Sequence, residues 1–113
     1  MKKLEALVRP ERLNAVRQAL VETGHRSMIS YDVWYRGTER EVHMHQADGN
    51  SPLYDFMPKV RIELIVEDAM ARSVVDTIIE SARTGNIGDG KIFISPIEEA
   101  IRIQTKETGD IVL

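Results

Sequence analysis

The two halves of the chain repeat one pattern: a short apolar strand, an amphipathic helix and a closing Thr-Gly pair. The first half has Leu-Glu-Ala-Leu-Val from residue 4 and closes with Thr23-Gly24, and the second has Ile-Glu-Leu-Ile-Val from residue 62 and closes with Thr84-Gly85. A strand–helix–strand unit used twice predicts the α+β, ferredoxin-like βαββαβ arrangement, in which two helices cover one face of an antiparallel sheet. The length of 113 residues suits one domain of this kind, residues 1–113.

Hydrophobic periodicity and turn residues give the expected boundaries of the elements. Strands are predicted at residues 2–9, 28–35, 59–66, 91–95 and 101–105, and a single helical turn at residues 96–100. The first helix begins at Pro10 and ends at Thr23, with Gly24 as a left-handed cap. The second helix carries an apolar stripe from Met70 to Ala82, after a cap formed by Glu67-Asp68.

The sheet of such a fold leaves one face without helices. We expect five side chains on that face: Leu7, Met28, Ser30, Trp34 and Ile65. A bare sheet face with this apolar content has to be covered, because soluble proteins rarely expose a large apolar patch. Self-association is the simplest cover, so we expect a homo-oligomer.

Composition excludes several classes of function. The chain has no cysteine, which removes disulfides, thiolate nucleophiles and Cys-based zinc sites. The net charge of −3 indicates no overall basic surface for nucleic acid. No apolar stretch approaches the roughly 18 residues of a membrane span, and the apolar run after Met1-Lys2-Lys3 is too short for a signal peptide. We therefore expect a cytoplasmic protein that binds no nucleic acid and does not insert into membranes.

A long exposed loop is predicted between the second and third strands, at residues 36–55. Its aliphatic residues are few, and Asp48-Gly49-Asn50-Ser51-Pro52 is a strong turn cluster. Structureless loops of this length inside compact domains are usually functional. The loop residues expected to contact a partner are Arg36, Gly37, Arg40, His43, His45 and Tyr54.

Some residues near this loop have competing interpretations. His43 and His45, together with Asp48, have the chemistry of a metal site, but a solvated polar loop is favoured and no metal is expected. Trp34 and Tyr35 suit a partner hot spot and simple sheet packing equally well. The charged residues around the start of the first helix are interpreted as solvated: Arg9, Glu11 and Arg12.

The sharpest local signal is the segment Thr-Gly-Asn-Ile-Gly-Asp-Gly-Lys at residues 84–91. Its three glycines let backbone N–H groups approach a phosphate closely, Lys91 adds a positive charge, and Arg102 follows one strand later. The Gly-Lys-Ser/Thr ending of a Walker motif is missing. On these residues alone, a structural turn between a helix and a strand is the favoured interpretation.

Several stretches together resemble the PII signal-transduction family. The glycine-rich segment, taken with Ile94-Ser95-Pro96-Ile97 and Ile101-Arg102-Ile103, is similar to the family's B-loop and C-terminal signature. The opening six residues with Arg9-Pro10 resemble the family's start, and Gly24 with Met28 resembles its second conserved stretch. Residues 55–60, Asp-Phe-Met-Pro-Lys-Val, resemble the end of its T-loop. The similarity extends over nearly the whole chain except residues 34–54.

The resemblance implies a homotrimer that binds ATP or ADP in clefts between subunits and docks onto a target protein through its T-loop. Residues 36–55 correspond to the T-loop, 84–91 to the B-loop and 101–113 to the C-terminal segment. The residues implied to hold the nucleotide are Leu7, Met28, Glu63 and Ile65 near the base, and Gly88, Asp89, Gly90, Lys91, Arg102 and Gln104 at the phosphates. Lys59 matches the family lysine that contacts 2-oxoglutarate.

The chain departs from the family pattern in the T-loop and at the phosphates. The glutamine that completes Mg²⁺ coordination in the family has no counterpart in residues 35–40, Gln104 replaces the second arginine of the phosphate clamp, and Asn86 replaces the B-loop lysine. Lost positive charge weakens attraction most for the most highly charged nucleotide. We therefore expect ADP or AMP to bind at least as tightly as ATP, any Mg²⁺ to enter with ATP, and 2-oxoglutarate to bind poorly.

The expected function is regulation in nitrogen or carbon metabolism and not catalysis. An adenine nucleotide would order or release the T-loop, and an unidentified transporter, enzyme or regulator would sense the difference. One alternative is a nucleotide-acting enzyme of the same fold, such as a slow ATPase, although the sequence shows no nucleophile–base pair. Another is a trimeric interaction module without a working nucleotide site, against which the retained Gly-Asp-Gly-Lys segment and Arg102 argue.

Overall fold

The computed structural model describes residues 1–37 and 56–113. Its elements, in chain order, are β1 (Lys2–Val8), α1 (Leu13–Glu22), β2 (Ile29–Tyr35), β3 (Met57–Val66), α2 (Ala71–Ala82) and β4 (Lys91–Pro96). Short 3₁₀ turns occupy Pro10–Arg12, Asp68–Met70 and Asp110–Val112. The four strands form one antiparallel sheet in the order β2-β3-β1-β4, which confirms the ferredoxin-like fold. The loop predicted at residues 36–55 lies, beyond Gly37, outside the described residues.

Alternation on the two central strands builds the core. Every second residue of β1 from Leu4 to Val8 is buried, and so are their cross-strand partners on β3 between Val60 and Leu64. Antiparallel partners share a face, so these side chains form one apolar surface. The helices cover it with a second buried set: Val16, Leu20, Val74, Val75, Ile78 and Ala82. Burial of each large aliphatic side chain stabilises the fold by roughly 1.5–3 kcal/mol.

The strand register decides which side chains lie on the open face, the sheet face opposite the helices. Leu7 pairs with Arg61, and Ile65 pairs with Lys3. These positions alternate with the buried ones, so Leu7 and Ile65 lie on the open face as predicted. Ile65 is 37% exposed in the single chain.

Two of the five side chains predicted for the open face lie on the helix side instead, and Met28 precedes β2, so the strand register assigns it to neither face. Ser30 pairs with the buried residue Ile62, and Trp34 shares the face of Ser30 because it lies four positions along the same strand. Met28 packs against the core. Side chains alternate between the two faces of a strand. A prediction that misplaces an edge strand by one residue therefore assigns each of its side chains to the wrong face.

The middle of the open face carries an ion-pair network. Lys3 Nζ lies 2.7 Å from Glu5, and Arg61 pairs with Glu5 and lies 3.5 Å from Glu63. The hydroxyl of Tyr31 donates to Glu63 at 2.6 Å. Hydrogen bonds from Lys3 and Arg61 lower the pKa of Glu5. The centre of this face is therefore balanced in charge. Exposed apolar side chains such as Ile29, Ile65 and Phe93 surround it.

The chain after β4 differs from the prediction. Residues 96–100 form no helical turn, and residues 101–105 form no strand. The chain reverses there: the N–H of Arg102 donates to the carbonyl of Glu107 at 2.9 Å, and the N–H of Lys106 donates to the carbonyl of Arg102 at 2.8 Å. Lys106 holds a φ of 64°, in the left-handed region that turns the chain back. This reversal is why 101–105 cannot extend along the sheet.

The predicted end of α1 is confirmed, whereas the predicted cap of α2 is wrong. Gly24 follows α1 with a φ of 95°, as a left-handed cap. Before α2, neither Glu67 nor Asp68 accepts a capping hydrogen bond. Asp68 instead pairs with the N-terminal amine of Met1 at 2.9 Å. In the described part of the chain, no helix has the length and apolarity needed to cross a membrane.

We predict that Gly90→Ala destabilises the protein far more than Gly109→Ala. Both glycines have positive φ, 109° and 88°, so each alanine carries a backbone strain of about 1–3 kcal/mol. A Cβ on Gly90 would also lie 1.7 Å from the carbonyl oxygen of Leu7, whereas Gly109 has open space around it. Urea titrations measure the two free energies of unfolding. Equal losses in the two variants would contradict the close approach of Gly90 to β1.

Candidate functional site

The glycine-rich loop, residues 84–90, is closed by the side chain of Asp89. The carboxylate accepts hydrogen bonds from the N–H groups of Thr84 and Gly85, both at 2.8 Å, and from Thr84 Oγ1 at 2.5 Å. Arg9 Nε donates to it at 3.1 Å. Burial opposes the charge, but these donors outweigh burial and hold the pKa of Asp89 well below its usual value. The carboxylate is thus committed to the loop, so a phosphate contact by Asp89 falls to its backbone N–H.

Two cations hold successive carbonyl groups of the same loop. Arg9 Nη2 donates to the carbonyl of Ile87 at 2.8 Å, and Lys59 Nζ donates to the carbonyl of Gly88 at 2.5 Å. Lys59 is 2% exposed. The structure therefore places the lysine that the resemblance assigns to 2-oxoglutarate behind the loop, and its effector contact stays a prediction.

A first cavity, of about 320 Å³, opens where the loop enters β4. It gathers four of the predicted site residues: Leu7, Asp89, Gly90 and Lys91. Lys91 is exposed and pairs with Leu7 across the β1–β4 ladder. The remaining wall is mostly apolar and comes from the core side of the sheet and the end of α2, including Ile79, Ala82 and Ile92. This cavity offers a cation and loop backbone beside an apolar surface.

A second cavity, of about 260 Å³, lies between β2, β3 and the C-terminal segment. It gathers four other predicted residues: Met28, Glu63, Ile65 and Arg102. Further apolar walls come from Ile29, Leu64, Ala100, Ile101, Val112 and Leu113, and Lys3 and Ser27 complete it. This cavity is an apolar slot with charged groups at its margin, which is the usual composition of a small-molecule site.

The two cavities lie apart on a single chain. Leu7 of the first cavity pairs with Arg61, which precedes Ile65 of the second cavity by four positions on β3. At 3.3 Å or so per strand residue, four positions separate them by roughly 13 Å along the sheet. A single chain therefore groups the predicted residues into two separate half-sites and does not join them into one site.

Arg102 is held by the C-terminal segment, and Gln104 is not part of either cavity. Arg102 Nη1 donates to Glu107 at 2.6 Å, and Nη2 donates to the carbonyl of Ile111 at 3.2 Å. A guanidinium has five N–H donors, so donors remain for a ligand at the margin of the second cavity. Gln104 is exposed in the turn that follows and lines neither cavity.

The residues assigned to the partner-binding loop are mostly beyond the described part of the chain. Arg36 is exposed just after β2. Gly37, the last described residue before residue 38, lies against the ring of Tyr35. The remaining four lie outside the described residues: Arg40, His43, His45 and Tyr54. Within residues 1–37 and 56–113, no three His, Cys, Asp or Glu side chains are grouped as metal ligands.

Sequence reasoning missed the role of Arg9. Its side chain is 21% exposed and contacts the loop 80 positions away, so its interpretation as solvated is wrong. Arg12 was misassigned in the same way, because its Nε donates to the carbonyl of Ser81 at 3.1 Å. Glu11 is exposed as expected. The contact could have been found from the topology of the predicted fold. Because β4 pairs with β1, the loop just before β4 lies next to Arg9, which follows β1.

Three comparisons with known proteins give consistent results. A family model described as Nitrogen regulatory protein P-II matches residues 1–107. A Nitrogen regulatory protein P-II of Cereibacter sphaeroides is 43% identical over 110 residues, which cover 97% of both chains. Nitrogen regulatory protein P-II 2 of Methanothermobacter thermautotrophicus is also 43% identical, over 96% of this chain and 94% of its own. Among solved structures, Arabidopsis thaliana PII bound to citrate matches with a TM-score of 0.80 at 39% identity, over 97% of this chain and 89% of its own.

We predict that Asp89→Asn removes about 1–3 kcal/mol of stability at pH 7, the value of charge-assisted hydrogen bonds. The folded pKa of Asp89 is depressed, so its stabilisation is present above the ordinary pKa of 3.8 and is lost as pH falls toward the folded value. Urea titrations from pH 2.5 to 7 should show the wild type losing its advantage over the variant below about pH 4. Asp76→Asn, at an exposed position of α2, is the matched control. If the difference in free energy of unfolding between the wild type and Asp89→Asn does not depend on pH, the depressed pKa of Asp89 is contradicted.

Proposed function

This chain belongs to the nitrogen regulatory protein P-II family, and we propose that it binds an adenine nucleotide between copies of itself and controls a partner protein through residues 36–55. The observation that carries the proposal is the division of the predicted site into two incomplete cavities. The two cavities hold different members of the predicted set. The loop with Lys91 offers phosphate-binding groups, whereas the slot beside Arg102 offers the apolar walls that a purine ring needs.

Two copies arranged head to tail would complete one site. The first cavity of one copy would face the second cavity of the next, with the base between Met28 and Ile65 and the phosphates between Arg102 and the neighbour's Lys91. Such a contact joins two different surfaces, and it closes into a ring when the rotation allows. We propose a ring of three, the number implied by the family resemblance, so that each ring carries three clefts.

The open face supports this assembly. Its central cations, Lys3 and Arg61, are balanced by the carboxylates of Glu5 and Glu63, so covering this centre buries no net charge. Around that centre stand exposed apolar side chains, of which Ile29 and Phe93 are 62% and 50% exposed. A charge-neutral centre with an apolar surround is a surface that a second copy can cover at little electrostatic cost.

The proposed site binds and does not catalyse. Asp89 is the carboxylate of the loop, and four donors engage it and depress its pKa, so it is a poor proton acceptor for water. The groups that the proposal assigns to the phosphates are backbone N–H groups and the cations Lys91 and Arg102. The citrate in the Arabidopsis structure is an anion as well, which supports an anion as the ligand of this fold. The regulatory readout then comes from a change in residues 36–55 that a partner protein senses.

We propose ADP or AMP as the preferred nucleotide. Asn86 is exposed on the loop and Gln104 is exposed on the C-terminal turn, and both are neutral where the family pattern has a cation. Each missing charge weakens the attraction for a third phosphate more than for a second, because ATP carries more negative charge. Mg²⁺ would accompany ATP.

We predict that Lys91→Ala weakens ADP binding by about 1.5–3 kcal/mol, or roughly 10- to 150-fold, because it removes a charge-assisted hydrogen bond. Calorimetric titration at fixed salt measures this, and light scattering checks that the variant keeps the mass of a trimer. Arg72→Ala removes the same charge from an exposed position of α2 and should bind ADP as the wild type does. Unchanged affinity in the Lys91 variant, or a wild-type monomer at micromolar concentration, would contradict the proposal.

A further inference from the structure

We propose that Arg9 is a positioning residue of the glycine-rich loop: it fixes the Ile87–Gly88 peptide so that the Gly88 N–H faces the phosphates, and it does not itself contact them. The inference rests on the proposed function, because it assigns a second residue to the same nucleotide site. It concerns a side chain that lies behind the loop and lines neither cavity.

The contacts of Arg9 suit a rigid brace. Its Nε lies 3.1 Å from Asp89 and its Nη2 lies 2.8 Å from the carbonyl oxygen of Ile87, so one planar guanidinium spans both groups. The side chains of Arg9 and Asp89 are 21% and 22% exposed, which limits their motion. The guanidinium presents its donors in a fixed fork, so binding at Asp89 also fixes where the Ile87 carbonyl must lie.

The consequence for the loop follows from the planarity of the peptide. In a trans peptide the carbonyl of one residue and the N–H of the next point in opposite directions. With the Ile87 carbonyl turned to Arg9, the Gly88 N–H is turned to the opposite side of the loop. Gly88 has a φ of 103°, a conformation open to glycine in which this peptide can also flip over. Gly88 alone therefore permits both orientations of the Ile87–Gly88 peptide, and the hydrogen bond from Arg9 selects one of them.

Lys59 extends the same arrangement by one peptide. Its Nζ lies 2.5 Å from the carbonyl oxygen of Gly88, which turns the Asp89 N–H away from Lys59. Two successive backbone N–H groups turned to the same side can bind one anion, and we place the Gly88 and Asp89 N–H groups in that role. Arg9 is the better residue to substitute, because Lys59 is buried and its replacement would disturb the interior.

Two simpler roles for Arg9 make different predictions. If Arg9 acted by charge alone, Arg9→Lys would behave as the wild type. The pairing with Asp89 argues against this, because a paired charge has a weak field at a distance. If Arg9 were only an anchor of the fold, its loss would weaken binding of the base and of the phosphates alike.

The test compares Arg9→Gln and Arg9→Lys with Arg17→Gln, which removes the same charge from an exposed position of α1. Calorimetry measures the dissociation constants of ADP and of adenosine, which has no phosphate. We expect Arg9→Gln to weaken ADP about tenfold or more, the value of a charge-assisted hydrogen bond, and adenosine less than about twofold. Arg9→Lys should stay close to Arg9→Gln, and Arg17→Gln should match the wild type.

An NMR spectrum of the unliganded protein separates this inference from the proposed function. The amide resonances of Ile87, Gly88 and Asp89 should shift in Arg9→Gln and not in Arg17→Gln. Unmoved resonances, equal losses for ADP and adenosine, or full recovery in Arg9→Lys would each overturn the inference. If the wild type binds no ADP, the proposed function fails, while the amide shifts still decide whether Arg9 orients the loop.

Discussion

The contact between Arg9 and Asp89 joins the end of β1 to the glycine-rich loop, and the arrangement of the candidate site depends on it. β1 lies in the middle of the sheet and pairs with both β3 and β4. A loop tied to its end is thereby fixed relative to the core. Gly90, at the end of the loop, passes so close to the Leu7 carbonyl that no side chain fits there. The loop is therefore held against the end of β1 at two neighbouring positions.

In the proposed function, the ligand site comes from surfaces that one chain leaves incomplete. The loop cavity and the slot beside Arg102 lie at different places on the same sheet, and the open face carries balanced charge at its centre within an apolar surround. A site completed only by assembly links ligand binding to the arrangement of neighbouring copies. That link is what a regulatory protein needs, because a ligand acts on a partner only through states that it binds unequally.

Much of the fold could be predicted because it rests on local patterns. The repeated strand–helix–Thr-Gly unit identified both halves, and alternation on β1 and β3 identified the core face correctly. The phase of β2 could not be found in the same way, since Ser30 and Trp34 differ in polarity although they share one face of this edge strand. The alternation of Ile101 and Ile103 suggested a last strand, but the φ of Lys106 turns the chain back, and a lysine in that conformation leaves no sequence signal.

The candidate site was predicted through resemblance more than through chemistry. A Gly-Asp-Gly-Lys segment marks a tight turn as readily as a phosphate loop, so its residues alone did not decide between them. The role of Arg9 was missed because its contacts join positions 80 residues apart and appear only once β4 is placed beside β1. The proposed division of the site between copies follows from the resemblance, and the two separate cavities support it.

The most direct test of that division is to mix two defective variants, Lys91→Ala and Arg102→Ala, by co-expression and to count ADP sites by calorimetry. If each cleft takes Lys91 from one copy and Arg102 from its neighbour, random trimers contain about one cleft in four with both residues intact. We expect this fraction of sites to bind ADP with wild-type affinity, although neither variant alone does. A mixture that binds as weakly as its two parents would show that both residues act within one chain and would contradict the account.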